Sequence, residues 1–116
     1  MQPTKDKPVT VIFRRWKYYD GDVIALFPEL PADVHGMQCM SFEHVGQHGS
    51  ADYHEVMHNT EPATPEEYGG LRAELEDRGY VLVVRSRQMG RTARACRMTM
   101  LRRGDEEIAR LLSVGE

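Results

Sequence analysis

The sequence predicts an α+β domain in which a four-stranded, mostly antiparallel sheet carries one packed helix and is followed by a C-terminal helical segment. Three observations lead to this prediction. Three strand-like segments come first in the chain, a capped helix follows them, and one further strand precedes a helical pattern at the C-terminus. Because a sheet and a helix each present one apolar side, this order favours a sheet with the helix packed on its face.

The predicted strands are short runs rich in β-branched and aromatic residues. They cover residues 9–16, 23–27, 38–45 and 80–84. Asp20 and Gly21 lie between the first two strands and predict a hairpin, since these residue types tolerate the positive φ of a tight turn. Pro28 and Pro31 are expected to end the second strand, because proline cannot donate a hydrogen bond to a sheet ladder.

The helix predicted over residues 65–79 carries the clearest local signals. Thr64 and Glu67 fit a capping box, Pro65 occupies the first helical position, and Gly79 is suited to end the helix. Its two central glycines weaken it by about 1 kcal/mol each relative to alanine. We therefore expect this helix to depend on packing against the sheet.

Two further helical regions are predicted less directly. The polar stretch after the third strand is expected to be irregular except for a short helix over residues 53–59, with Ser50 or Asp52 as its N-cap. Beyond the last strand, Gly104 is expected to separate two helical segments, which cover residues 91–101 and 105–112.

Length and composition predict a flexible N-terminus over residues 1–8 and a single domain over residues 9–116, with residues 85–116 as its arginine-rich helical extension. No apolar run approaches the roughly 20 residues that span a bilayer, and the N-terminus has no apolar signal region. We therefore expect a cytoplasmic protein with no membrane partner.

Charge is strongly segregated along the chain, although the formal net charge is only −3. Residues 20–84 carry thirteen acidic side chains against two arginines, whereas residues 85–103 carry seven arginines and no acid. One interpretation is that the two regions lie side by side and neutralise each other. The other is that one of them meets a charged partner.

His54, Glu55 and His58 match the H-E-x-x-H pattern of zinc metalloproteases. On a helix the two imidazoles would share one face and hold zinc, while Glu55 would act as general base. Histidines 44 and 48 upstream, or the carboxylates at 74, 76 and 77 downstream, could supply a third ligand. The context opposes this interpretation, because Pro62 and Pro65 limit the helix to about two turns and the second histidine motif of metzincins is absent downstream. We therefore favour no catalytic residue, no metal ligand and no cofactor, and keep a small zinc hydrolase as an alternative.

The arginine segment contains the basic candidates for binding. These are Arg85, Arg87, Arg91, Arg94 and Arg97. The last three are spaced by three residues and are expected to form one stripe on a helix, from which they could make bidentate contacts with phosphates or carboxylates.

A nucleic-acid-binding regulator that uses arginines 85–103 is therefore a second alternative, although the sequence pI of 5.9 lies below the usual basic range. The acidic candidates for binding come from the acidic middle of the chain. They are Asp20, Asp22, Glu29 and Asp33.

Several strings of residues carry a resemblance to other proteins. They are V-I-F-R at 11–14, D-V-I-A-L-F-P at 22–28, G-Q-H-G-S-A-D-Y at 46–53 and P-A-T-P-E-E-Y at 62–68. Together they resemble a group of short proteins, of no assigned activity, that phages and other mobile elements of bacteria carry. The resemblance covers about residues 9–84 and implies a genomic setting rather than a mechanism.

That setting favours a non-enzymatic protein that acts by stoichiometric binding to a protein partner, such as a host nuclease or ribonucleoprotein complex. We expect an inhibitor of a bacterial defence complex, for example an anti-CRISPR-like protein that blocks a CRISPR effector nuclease. An acidic surface could imitate a nucleic-acid backbone and occupy a cationic channel of such a complex. The zinc hydrolase and the nucleic-acid-binding regulator remain open beside this interpretation.

Overall fold

The computed structural model describes residues 8–18, 21–43, 47–87 and 90–114. Six strands and three helices follow one another within these residues. They are β1 (Pro8–Trp16), β2 (Val23–Pro31), β3 (Cys39–Glu43), β4 (Gln47–Ala51), α1 (Tyr53–Asn59), β5 (Thr60–Pro62), α2 (Pro65–Asp77), β6 (Val81–Arg85) and α3 (Gly90–Val114). The α+β class predicted from the sequence is confirmed, but the sheet has six strands rather than four. The predicted flexible N-terminus falls outside the described residues except for Pro8, which begins β1.

Strand β1 is the centre of the sheet. It pairs antiparallel with β2 along one edge, with Ile12 opposite Leu26. Along its other edge it pairs antiparallel with the short β5 and parallel with β6, so that Val9 lies opposite Leu82. Strands β3 and β4 extend the sheet beyond β2 in antiparallel order. The sheet is therefore mostly antiparallel, as predicted, and the hairpin between β1 and β2 turns at Gly21, whose φ is 77°.

The prediction that prolines end the second strand is confirmed for Pro31, the last residue of β2, and wrong for Pro28, beyond which the strand continues. The register with β3 shifts between Phe27 and Pro31, so Pro28 lies in an irregular part of the ladder. A bulge of this kind removes the need for a regular backbone donor at that position.

Two strands were absent from the sequence prediction. Strand β4 lies in the stretch expected to be irregular, and its letters Q-H-G-S-A lack the apolar alternation of a half-buried strand. It forms because its backbone pairs with β3 at the edge of the sheet. Strand β5 has three residues and pairs only with the end of β1, which is too short for a sequence pattern.

The two faces of the sheet carry separate apolar cores. Val11 and Phe13 of β1 pack with Leu71 and Leu75 of α2 on one face. On the other face, alternate residues such as Ile12 pack against α1, and their cluster includes Leu26, Cys39, Tyr53 and Val56. Because successive side chains of a strand point to opposite faces, α2 and α1 lie on opposite sides of the sheet.

The two predicted caps are confirmed. Thr64 accepts a hydrogen bond from the backbone N–H of Glu67, and the Glu67 carboxylate accepts one from the backbone N–H of Thr64 at 2.9 Å. These hydrogen bonds are the main reason that the pKa of Glu67 is lowered. At the start of α1, Asp52 accepts a hydrogen bond from the backbone N–H of Glu55 at 3.0 Å.

Helix α3 is continuous, which corrects the expectation of two segments separated by Gly104. Glycine keeps its backbone N–H donor and destabilises a helix by only about 1 kcal/mol relative to alanine. Neighbouring residues of high helix propensity can therefore keep the helix continuous across Gly104. No helix within the described residues is long and apolar enough to span a membrane.

Arg97 anchors α3 to the sheet. Only 5% of this residue is exposed. Its Nε donates to the Gly36 carbonyl at 2.9 Å and its Nη1 donates to the Pro28 carbonyl at 2.7 Å. The guanidinium thus joins α3 to β2 and to the loop that follows it.

We expect Arg97→Met to lower the free energy of unfolding by about 2–4 kcal/mol, because both carbonyls would lose charge-assisted hydrogen bonds in a buried place. Urea unfolding followed by circular dichroism measures this change. The matched control is Arg94→Met on the exposed side of the same helix, for which a change within about 0.5 kcal/mol is expected. Equal losses in the two variants would contradict the anchoring role.

His48 of β4 belongs to an aromatic cluster on the face that α2 covers. Its Nε2 lies 2.5 Å from the Tyr80 hydroxyl, and its ring packs edge-on against Phe42. Burial lowers the pKa of His48 below its ordinary value of 6.5, and the nearby Arg78 lowers it further. The folded state therefore favours the neutral imidazole.

The stabilisation by neutral His48 should be present above pH 6.5 and lost as the pH falls below that value, because the unfolded chain then binds the proton more readily. We expect His48→Gln to reduce the decline in the free energy of unfolding between about pH 7.5 and about pH 5. His35→Gln in the exposed β2–β3 loop is the control and should keep the decline of the unmodified chain. An unchanged decline in His48→Gln would refute this assignment.

Candidate functional site

The H-E-x-x-H motif lies on the seven-residue helix α1. His54, Glu55 and His58 are all exposed there. Within the described ranges, no group of three His, Cys, Asp or Glu side chains is placed to hold a metal ion. His44, which the sequence places shortly before the motif, lies outside those ranges. The described residues therefore give a zinc ion at most the two imidazoles of the motif.

A cavity of about 120 Å³ lies beside His54, between α1 and the first turns of α3. Its walls include Asp52, His54, Gly90, Arg94 and Arg97, together with Met37. The structure thus brings together the H-E-x-x-H motif and the arginine segment, which are distant from each other in the sequence. The two guanidinium groups make this place unfavourable for a cation such as zinc, since like charges at short range repel each other.

The exposed side of α3 forms a surface that we call the α3 basic face. It consists of Arg91, Arg94, Met98 and Arg102. These positions follow the helical period of 3.6 residues, so they lie along one side of the helix. Met98 was missed from the sequence, and Arg102 was included only in the wider set of arginines 85–103; a search at this period over the arginine segment would have found both.

The predicted stripe of Arg91, Arg94 and Arg97 does not form one exposed surface. A spacing of three residues falls short of a full turn, so Arg97 is rotated by about 120° from Arg91. This rotation turns Arg97 toward the sheet, where it is buried. Arg85 and Arg87 are exposed at and just beyond the end of β6.

The ion pairs among the described residues are confined to another part of the molecule. Arg15 pairs with Glu61 and Glu67, and two pairs within one turn of helix link Arg72 to Glu76 and Arg78 to Glu74. None of the arginines in 85–103 forms an ion pair with a described side chain. Internal neutralisation therefore involves α2, β1 and β5, and the described acids leave the α3 basic face unpaired.

Exposed apolar side chains lie next to the α3 basic face. Gly36, with a φ of 68°, brings the β2–β3 loop so close to α3 that an added Cβ would lie 2.7 Å from the Met98 sulfur. The exposed fractions of Val34, Met37 and Met98 are 81%, 55% and 44%. The surface around α3 is therefore both basic and apolar.

The acidic candidates are not brought together. Asp22 is exposed before β2, while Asp33 follows β2 and accepts a hydrogen bond from the backbone N–H of Gln38. The nine residues of β2 separate them by roughly 30 Å. Glu29 is partly buried beside Cys96, and Asp20 lies outside the described residues.

The two cysteines are not activated as nucleophiles. Burial raises the pKa of Cys39 to about 11. Burial, with a further contribution from Glu29, also raises the pKa of Cys96. Cys96 lines a larger groove of about 430 Å³ between α3 and the ends of β1 and β2. Both residues are therefore thiols near neutral pH, and this groove contains no thiolate that could attack a substrate.

Comparisons with known proteins do not add a function to this geometry. No protein-family model matches the chain, and neither curated proteins nor solved structures give a significant match. The resemblance to proteins of mobile elements therefore stays a prediction.

We expect the chain to lack a stoichiometric zinc site at α1, because the motif sits beside two arginines and has two ligands at most among the described residues. Elemental analysis of untagged protein, dialysed first against zinc and then against metal-free buffer, measures this. The double variant His54→Ala/His58→Ala is the control and should have the same metal content. One zinc per chain that disappears in the double variant would contradict the expectation and restore the hydrolase alternative.

Proposed function

We propose that this chain is a non-enzymatic binding protein whose α3 basic face contacts an acidic surface of a partner protein. The observation that carries the proposal is the set of three exposed arginines, Arg91, Arg94 and Arg102, that form no ion pair with any described side chain. Guanidinium groups are well suited to this role, because they bind carboxylates through two parallel hydrogen bonds.

The apolar side chains beside the arginines favour a protein partner over nucleic acid. Met98 lies within the α3 basic face, and Met37 and Val34 extend it. Methionine and arginine are both enriched in protein–protein interfaces, and an apolar centre with a charged rim is their usual arrangement. A nucleic-acid backbone binds arginines and lysines through its phosphates, but it offers no apolar surface to contact these side chains.

A bacterial defence complex is the first partner class to test. The resemblance over residues 9–84 implies that related chains are carried by mobile elements, and such a chain could inhibit a CRISPR effector nuclease by stoichiometric binding. In this proposal the arginines of α3 make the contact. The acidic residues are less suited to it, because they lie apart from one another.

The test uses the double variant Arg91→Glu/Arg102→Glu, which reverses the charge of the α3 basic face and leaves Arg94 and Arg97 in place. Candidate effector nucleases are purified and mixed with the chain, and complex formation is measured by size-exclusion chromatography together with nuclease activity. We expect the unmodified chain to form a 1:1 complex that inhibits the nuclease. The double variant should bind at least about 100-fold more weakly, since each lost interfacial charge pair contributes about 1.5 kcal/mol or more.

The matched control is Arg72→Glu on α2, a partly exposed helical position outside the α3 basic face, which should bind as the unmodified chain does. Equal binding by the control and the double variant would show that α3 is not the contact surface. Tight, steeply salt-dependent binding to DNA or RNA, lost in the double variant, would instead support the nucleic-acid-binding regulator.

A further inference from the structure

The cavity between α1 and α3 brings two arginines and a histidine to the edge of one small space. Arg94 and Arg97 come from the second and third turns of α3, and His54 comes from the first turn of α1. We propose that this cavity is a binding site for a single oxyanionic group, either a phosphate or a carboxylate. This site is separate from the proposed contact with a partner protein, because Arg91 and Arg102 do not line the cavity. A free anion should therefore bind without the partner.

The charges around the cavity favour an anion. Arg94 and Arg97 both line it, and guanidinium is the side-chain group best matched to phosphate and carboxylate oxygens. The opposing carboxylate is that of Asp52, which already accepts the backbone N–H of Glu55 as the N-cap of α1. The lining therefore keeps an excess of positive charge.

The size of the cavity limits its occupant. A volume of about 120 Å³ is well below the roughly 300–1,000 Å³ of pockets that enclose drug-sized ligands. It is sufficient for one small polyatomic ion or for one functional group of a larger molecule.

The walls of the cavity are held in place by packing. Arg97 is fixed by its hydrogen bonds to the carbonyls of Gly36 and Pro28, so its guanidinium is ordered before any ligand binds. Gly90 allows the His54 ring to approach the start of α3, because an added Cβ would lie 2.4 Å from the His54 Cε1. The first turn of α3 contains no acidic side chain, and the backbone N–H groups of a helix start favour an anion.

Two substitutions test the site without removing a fold contact. Arg94→Gln removes one positive charge from an exposed part of the wall. Gly90→Ala leaves the charge unchanged and displaces the His54 ring from the cavity, while the exposed ring has space to rotate away. Arg91→Gln is the matched control, since it removes the same charge from the same helix but lies outside the cavity.

The measurement is a two-dimensional ¹H–¹⁵N NMR titration of the full chain with inorganic phosphate, with acetate, and with chloride at matched ionic strength. We expect saturable shifts of the amide signals of Gly90 and His54 with phosphate or with acetate, and none with chloride. The anion that binds with the higher affinity shows whether the site prefers phosphate or carboxylate. The affinity for the preferred anion should fall about tenfold in Arg94→Gln and should also fall in Gly90→Ala. In Arg91→Gln it should equal the affinity of the unmodified chain.

The proposal is overturned if neither phosphate nor acetate gives saturable shifts, or if Arg91→Gln weakens binding as much as Arg94→Gln does. The latter result would mean that the anions sense only the general field of the helix. The proposed function can fail separately, because Arg91→Glu/Arg102→Glu should lose the protein partner and yet keep a saturable anion site.

Discussion

A buried guanidinium decides where α3 lies and therefore which of its side chains face solvent. A desolvated charge without hydrogen-bond partners is strongly unfavourable, so Arg97 requires acceptors wherever it is buried. The carbonyls of Gly36 and Pro28 supply them. Pro28 lies in the part of β2 where the register with β3 shifts, and Gly36 lies in a turn with positive φ. The bulge, the turn and the position of α3 thus depend on one another.

Arginines perform three different tasks in this small fold. Arg14 is buried like Arg97, and it joins β1 to β5 and α1 through hydrogen bonds to Thr60 and to the Met57 carbonyl. A second group, on β1 and around α2, pairs with glutamates. A third group, on the exposed side of α3, has no described acidic partner. Among the described residues, the ion pairs therefore neutralise only part of the segregated charge, and the arginines of α3 lie outside the paired part.

The residues around the H-E-x-x-H motif favour a ligand other than zinc. His54 stands beside a cavity whose other charged walls are two arginines and the Asp52 carboxylate that caps α1. A pair of imidazoles four residues apart suits a metal only if the surrounding field tolerates a cation and a third ligand completes the site. The surroundings of His54 favour an anion instead. Sequence spacing alone did not distinguish the two, because both chemistries use histidine at a helix surface.

The sequence by itself determined the elements whose signals are local. The capping box at Thr64, the N-cap at Asp52 and the apolar runs of β1 and β2 act through neighbouring residues, so their helices and strands follow from short patterns. Strand β4 could not be predicted, because its polar residues become a strand only by pairing with β3. The inward rotation of Arg97 was likewise decided by tertiary structure, since it depends on carbonyls more than sixty residues away. The candidate site shares this property: its residues are distant in sequence, and only the packing of α3 against α1 and β2 places them around one cavity.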